Sequence, residues 1–370
     1  MPYTHFRYIA YEVPTATSKQ GVEGVKSGFP AGKSIDGPVD VTVPPDAQTR
    51  VRRLAAVVDR AATHVRSRYG DGADTLKVFI APEFYFRPPD RGESPGKEGL
   101  QSFPHETYPQ DHAYAIIEAL NKMFVHASFE HWLIVAGTVM WNFDDQVGPL
   151  QYRNSAMYVR GHAANDLRVI EKAVASGIDG VPNPYKASDI SDEKYDPSLD
   201  KLFEDWFHRK RRVFDVAGVT CGLEVCLDHG GGDTHRILKT ALSEWQFNEG
   251  QYPPGVKLQL LTAGGMRIQP GSVAAVEGGY LLRNDGYSNF PHSELRKIVG
   301  YEKPIQLKGR SLQQTEPTYS WDLQGSAKLS DSIMPWGRIP LDGSFLVPMF
   351  ENGYFEFPQQ IVFYPRLPLP

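Results

Sequence analysis

The apolar residues of the chain fall into short runs that switch between a strand period and a helix period. Phe6 to Val13 is rich in aromatic and β-branched residues and alternates weakly, which predicts a first strand. From Asp46, a good N-cap residue, Val51, Leu54, Ala55, Val58, Ala62 and Val65 recur on one stripe, so a helix follows and stops at Gly70-Asp71-Gly72. Leu76-Lys77-Val78-Phe79-Ile80-Ala81 is a short apolar run of the buried-strand kind, closed by Pro82-Glu83. A second helix starts near Asp111, with Ala113, Ile116, Ile117, Leu120, Phe124 and Ala127 facing inward. Trp132 to Trp141 reads as a strand. Arg153–Val159 and Leu167–Ile170 read as two more, joined by a turn over Gly161-His162-Ala163-Ala164-Asn165. Val213–Val216 pairs naturally with Val219–Val225 around Gly218, and Asp233 can cap a helix carrying Ile237, Leu238, Ala241, Leu242 and Trp245. Leu258–Leu261 is a further buried strand, and Val273–Leu282 is expected to give two.

Three stretches (14–45, 88–109 and 175–200) lack either period and read as long loops or insertions. Beyond about residue 300 the helical pattern disappears, and prolines punctuate short aromatic runs such as Ser344–Phe350 and Gln360–Tyr364. The expectation is a layered α/β domain with a mixed sheet over 1–300. Residues 301–370 are expected to form a C-terminal extension that packs on the core or on a neighbouring subunit.

Charge and composition narrow the function classes. A formal net charge of −5 over 370 residues argues against a nucleic-acid binder held by phosphate contacts. The basic run His208-Arg209-Lys210-Arg211-Arg212 is read as a solvated loop or strand start. With no apolar signal core at the N-terminus and no run of about 18 apolar residues, a cytoplasmic protein without a membrane partner is expected. The two cysteines, Cys221 and Cys226, sit five apart in one expected strand. They should therefore face opposite ways and cannot pair, which also rules out a disulfide framework or a cysteine-based zinc site.

Three ionisable residues share a context: each closes or follows an apolar strand. Glu83 follows Val78-Phe79-Ile80-Ala81-Pro82, Lys172 follows Leu167-Arg168-Val169-Ile170-Glu171, and Cys226 follows Gly222-Leu223-Glu224-Val225. In layered α/β proteins chemistry collects at strand ends, where the strands fix geometry and the loops supply groups. A carboxylate can take the proton of a thiol attacking a carbonyl or nitrile carbon and return it to the leaving amine. An ammonium and a backbone N–H, such as that of Leu227, can hold the oxyanion. Taken singly, each residue also suits a dull role: strand terminator, solvated lysine, core thiol.

Together the segments resemble the nitrilase, or carbon–nitrogen hydrolase, superfamily. The motifs are Val78-Phe79-Ile80-Ala81-Pro82-Glu83, then Asn154-Ser155-Ala156-Met157-Tyr158-Val159 through Val169-Ile170-Glu171-Lys172, then Gly222-Leu223-Glu224-Val225-Cys226-Leu227-Asp228. They stand in the family's order, and the resemblance spans roughly residues 5–285. It implies a four-layer αββα sandwich, a homodimer or higher homo-oligomer, a small amide or nitrile as substrate, and no metal or organic cofactor. By motif match Glu83 is the general base, Lys172 the oxyanion stabiliser and Cys226 the nucleophile. A second glutamate between lysine and cysteine is common in the family; Glu204, in an aromatic context, is preferred over Glu193. Lys210 lies nearer the cysteine, but no strand leads into it.

The long loops at 14–45, 88–109 and 173–200 depart from the family pattern, as does Glu224, where an apolar or small residue is expected. On regular alternation Glu224 would share a face with Cys226, where it could contact substrate or pair with a basic residue. Tyr85 and His229 are further candidates for the pocket wall, with core packing and turn hydrogen bonding as the alternative. Cys226-Leu227-Asp228 is closer to the amidase-type Cys-Tyr-Asp than to the Cys-Trp-Glu of nitrilases in the strict sense. The resemblance thus implies cleavage of a carboxamide or carbamoyl C–N bond through a thioester. Nitrile hydrolysis, or a catalytically silent binding or assembly module, are the alternatives.

Overall fold

Every residue of β2 (Thr75–Ile80) is buried, and its alternation explains the layering. Leu76, Val78 and Ile80 face one apolar cluster, while Phe79 faces another on the opposite side of the sheet. A strand covered on both faces needs apolar residues at successive positions, hence Val78-Phe79-Ile80; Lys77, which interrupts the run, is accommodated by its Nζ donating to Thr75 O at 3.0 Å. The computed structural model describes residues 2–15, 45–88, 107–143, 151–163, 166–174, 212–230, 237–239, 242, 255–287, 292–302, 325–341 and 359–370.

The first sheet is built on β1 (His5–Glu12), β2 and β4 (Trp132–Phe143), which run parallel. The two-residue β3 (Tyr108–Pro109) pairs with β4. On the far side of β4 follow β5 (Gln151–Arg160) and β6 (Arg168–Glu171), both antiparallel to their neighbours. The second sheet contains β7 (Val213–Val216), β8 (Val219–Val225), β9 (Val256–Ala263), β10 (Ala275–Asp285), β11 (His292–Tyr301) and β12 (Ala327–Leu329), with β8, β9 and β10 parallel. β13 (Gly337–Pro340) and β14 (Gln360–Pro368) complete the first sheet in the order β13-β14-β1-β2-β4-β5-β6.

The sheets pack face to face. Tyr8, Val78, Leu133 and Ala156 of the first meet Leu223, Leu258, Leu260 and Leu282 of the second in one buried cluster. On the outer face of the first sheet, α1 (Pro45–His64) lays down Val51, Leu54, Val58 and Ala62, and α2 (Gln110–Met123) lays down Ala113, Ile116 and Leu120. α1 runs on into a wider turn, Val65–Tyr69, that ends where Gly70, left-handed at φ 62°, donates its N–H to Val65 O at 3.0 Å. The helical residues Leu238 and Leu242 cover the outer face of the second sheet with Val256, Val273 and Leu281. The architecture is the four-layer αββα sandwich.

Three expectations change. Val273–Leu282 does not divide into two strands. β10 is one long strand that takes a register shift between Ala275 and Tyr280, with Gly278 at φ 83° absorbing the bulge. β11 was not anticipated, and it carries the chain through residue 300 without a break. The expected C-terminal extension contributes strands to both sheets, with β14 lying between β13 and β1. The stretches around Ser344–Phe350, Glu193, Glu204 and Lys210 lie outside the described residues.

Candidate active site

β8 ends at Val225, and the chain then turns sharply. Cys226 has φ 46°, a left-handed conformation uncommon for a residue with a Cβ, and begins a tight turn through His229. Gly230 closes it by donating its N–H to Leu227 O at 2.8 Å. Strain of this kind costs on the order of 1–3 kcal/mol and survives only where the surroundings over-determine it. The turn also resets which way the chain faces. Cys221, Leu223 and Val225 point into the cluster between the sheets. Cys226 joins the same cluster because it lies past the strand, in the turn. The two cysteines therefore do not face opposite sides as strict alternation requires; they form no disulfide, and both are buried. Burial pushes the Cys221 thiol far up, helped by the negative charge of Asp215.

Glu83 arrives at the end of β2 by way of Ala81-Pro82 and is fully buried. Its Oε1 accepts two hydrogen bonds, from Lys172 Nζ at 2.9 Å and from Asn154 Nδ2 at 2.8 Å. Lys172 follows β6, and its backbone N–H donates to Asn154 O at 2.8 Å, so Asn154 holds both the lysine and the glutamate. On the other side of Glu83, Thr15 Oγ1 donates to the Glu83 carbonyl at 2.5 Å. The next residue, Phe84, is also left-handed (φ 62°), and its N–H is taken by Thr138 Oγ1 at 2.8 Å. Lys172 Nζ sits 5.7 Å from the centre of the Phe84 ring, within reach of a cation–π attraction. Gly264 passes so close that a Cβ there would lie 2.8 Å from the Phe84 ring and 3.1 Å from Glu83 Oε2. That glycine is held in place by its neighbour Gly265, whose N–H donates to Asp285 Oδ1 at 2.8 Å. Asp285 is in turn paired with Arg283.

Two links bring the cysteine turn to this pair. Within the second sheet Val225 pairs with Thr262, whose hydroxyl crosses to Ala81 O at 3.0 Å, two residues before Glu83. Asp228, two residues after Cys226, accepts the N–H groups of Ala173 (2.9 Å) and Val174 (3.0 Å), the residues just past Lys172. Arg212 spans the same junction, giving one N–H to Asp228 Oδ2 at 2.7 Å and another to the Glu171 carbonyl. Burial raises the Asp228 carboxyl, against the opposing pull of the Arg212 and Lys172 charges. The strand ends carrying carboxylate, ammonium and thiol are thus tied together by hydrogen bonds through buried or nearly buried groups.

Not every expected pocket residue is in the same place. Tyr85 lies in the cluster between the first sheet and α1, where its hydroxyl donates to Arg50 O at 3.1 Å and its ring meets Tyr11 and Phe86 edge-on. Glu224 does not share a face with Cys226. Its neighbour on that face of β8, Gly222, packs against Leu238 of the outer layer, and Glu224 is spent on His229, Gln259 and the Leu238 N–H. His229 is likewise fully buried, bonded to Glu224 and to the Gln269 N–H. Leu227 remains partly exposed in the turn. Sequence reasoning missed Arg212, which was read as one of a solvated run, and Gln259, a lone uncharged polar residue inside the apolar run of β9.

No family model matches the sequence, and neither does any curated relative. Among solved structures, an amidase from Nesterenkonia sp. matches at 16% identity with a TM-score of 0.35, covering 77% of each chain. The chain is similar to amidases of the nitrilase superfamily. One mutant form of the Nesterenkonia sp. AN1 amidase, described as from that superfamily, matches at 16% identity and TM-score 0.35, covering 76% of this chain and 77% of its own. Another, with acrylamide added at its active-site cysteine, matches at 14% and 0.36, covering 79% and 85%.

Proposed function

We propose that the chain is a thiol-dependent carbon–nitrogen hydrolase of the amidase type, with Cys226 as nucleophile, Glu83 as general base and acid, and Lys172 as oxyanion stabiliser. The observation that carries this reading is the buried Lys172–Glu83 contact at 2.9 Å, in a junction that Asp228 ties to the cysteine turn. A carboxylate and an ammonium removed from water are costly to keep unless something uses or compensates them. Here both sit at strand ends that hydrogen bonds tie to the turn of a strained cysteine, where structural pairing alone would not require a thiol.

In the proposed reaction Glu83 takes the Sγ proton as sulfur bonds to the carbonyl carbon of the amide. The oxygen, now negative, is held by the Lys172 ammonium and the Leu227 N–H. When the C–N bond breaks, Glu83 returns the proton to the departing nitrogen, leaving a thioester on Cys226. Water, deprotonated by Glu83, attacks the thioester; the carboxylic acid leaves and sulfur recovers a proton. Glu204 is proposed as the second glutamate that orients the substrate. On the same family resemblance the enzyme works on a small amide, without metal or cofactor, as a cytoplasmic homodimer or higher homo-oligomer. Light scattering coupled to size-exclusion chromatography tests the oligomer.

A panel of matched aliphatic amides and nitriles, read by ammonia release with Cys226→Ala as control, tests the reaction. Turnover of amides, lost in the variant, is expected. Turnover of nitriles alone would move the assignment to a nitrilase, and no turnover of either to a binding module.

A further inference from the structure

Behind the cysteine turn lies a polar cluster that the proposed chemistry does not use. Glu224 Oε2 accepts from His229 Nδ1 at 2.6 Å and from Gln259 Nε2 at 2.7 Å, and Oε1 accepts the Leu238 N–H at 3.1 Å. The Gln269 N–H points at His229 Nε2 at 3.1 Å. A nitrogen that accepts this bond carries no proton, so the imidazole is the Nδ1–H tautomer and donates to Glu224. Gln259 also accepts the Ala274 N–H at 2.8 Å, and Ser272 Oγ donates to Gly230 O, the residue after the turn, at 2.5 Å. All of these partners other than Leu238 lie in the turn, on β9, or in the β9–β10 connection, whose other end, Gly264, abuts Glu83. A solvated surface pair would not look like this: Glu224 and His229 are fully buried, and polar groups so placed are tolerated only when hydrogen-bonded, as these are.

We infer that Glu224 and His229 are positioning residues for Cys226: they anchor the far end of the turn and so hold the left-handed backbone that sets the direction of the thiol and of the Leu227 N–H. The inference rests on the reading of Cys226 as nucleophile. His229 ends the turn that Cys226 begins, and Glu224 lies two residues before it, so the pair brackets the cysteine from both sides. A ligand-orienting hydrogen bond of this kind is made by an outer partner whose own atoms never meet the substrate.

Glu224→Gln tests the pair with little change in volume. Whichever way the new amide is turned, its NH2 faces an N–H: that of Leu238, or those of His229 and Gln259. The reading is the rate at which iodoacetamide alkylates Cys226, followed by intact mass and expressed per folded molecule, alongside kcat and KM on propionamide. E224Q should be alkylated about 10- to 100-fold more slowly, with kcat falling to match. KM should stay within about twofold, because the lost interaction acts on the reacting atoms rather than on binding. A folded E224Q that is alkylated at the wild-type rate overturns the inference, since a purely structural pair would lower only the folded fraction. If E224Q does not fold, Gln269→Pro decides. It removes the donor to His229 Nε2 and draws the φ of −108° toward the −65° of proline, at a partly exposed residue, and should slow alkylation in the same way; a wild-type rate there also overturns the inference. Wild-type protein alkylated at Cys226 but inactive on propionamide would count against the amidase reading and leave this test intact. Wild-type protein not alkylated at Cys226 would overturn both.

Discussion

Asp228 Oδ1 accepts the backbone N–H of Ala173 at 2.9 Å, fastening the turn that begins with Cys226 to the residue that follows Lys172. The same carboxylate pairs with Arg212 at 2.7 Å, and both partners are buried. Cys226 and Lys172 therefore share one anchor, although they come from different sheets. Asp228→Asn keeps the acceptor oxygen and removes the charge, leaving Arg212 buried without its counter-ion. Breaking a buried pair from one side costs about 3–5 kcal/mol. A fall of that order in unfolding free energy is expected in urea titration; a change within about 0.5 kcal/mol, typical of an ordinary surface substitution, would mean that the anchor is dispensable.

Glu83→Gln removes the proposed proton acceptor and leaves an amide of the same shape beside Lys172. Loss of a general base lowers turnover by about 100- to 10,000-fold. The expected result is a loss in kcat of that size with Cys226 still in place, measured on the best amide of the substrate panel. A loss below tenfold would take the base role away from Glu83.

Among the described glycines, Gly264 is the one where a methyl group would press on the carboxylate and its neighbouring ring together. Overpacking of a filled site costs about 1–3 kcal/mol, whereas a misplacement of about 1 Å in a catalytic group costs on the order of a hundredfold in rate. Gly264→Ala should therefore lose about a hundredfold in kcat per folded molecule, about 2.7 kcal/mol, beside a stability loss of about 1–3 kcal/mol. Thermal melting and steady-state kinetics on the same preparation separate the two, and a folded variant with wild-type kcat would refute the close-contact argument.

Cys221 gives a pH dependence with a definite sign. Its folded thiol is held well above the ordinary value by burial, so folding favours the protonated form. That contribution is complete below the unfolded thiol value of about 8.5 and is lost as pH rises above it, by at most about 1.4 kcal/mol per pH unit, until the folded thiol also ionises. Cys221→Ala should have a flatter fall in unfolding free energy between pH 8.5 and 10, roughly the window in which only the unfolded thiol ionises. Parallel slopes for the two proteins would show that Cys221 ionises as readily when folded. At neutral pH the same burial should keep Cys221 unmodified by iodoacetamide until the protein is denatured.

Much of this fold could be read from periodicity because the sandwich buries most strands on one face or both. β2, β4 and β9 announce themselves as apolar runs, and α1 as a stripe. β11 escaped because its inward residues, Leu295 and Ile298, stand among Glu294, Arg296 and Lys297, so little apolar signal survives. Glu83, Lys172 and Cys226 were visible as strand-end groups in a family order. The facing of Glu224 was not, because alternation was carried one residue too far. The left-handed turn at Cys226 breaks the period, and nothing in a cysteine marks a positive φ as a glycine would. Arg212 and Gln259 were missed for the opposite reason: a charge in a basic run and an amide in a strand both look ordinary until their buried partners are seen.

β14 has a consequence for how the molecule is made. His5 pairs with Pro368, and the antiparallel register continues to Glu12 with Gln360, so β1 leaves the ribosome and waits for a partner encoded about 350 residues later. At about 5–20 residues per second that wait is on the order of tens of seconds. During it β1 can dock on β2, but its other edge shows unpaired N–H and C=O groups to the cell. The nascent protein thus carries an open β-edge throughout that interval, and the moment at which β14 closes it is when this edge stops being a template for other chains.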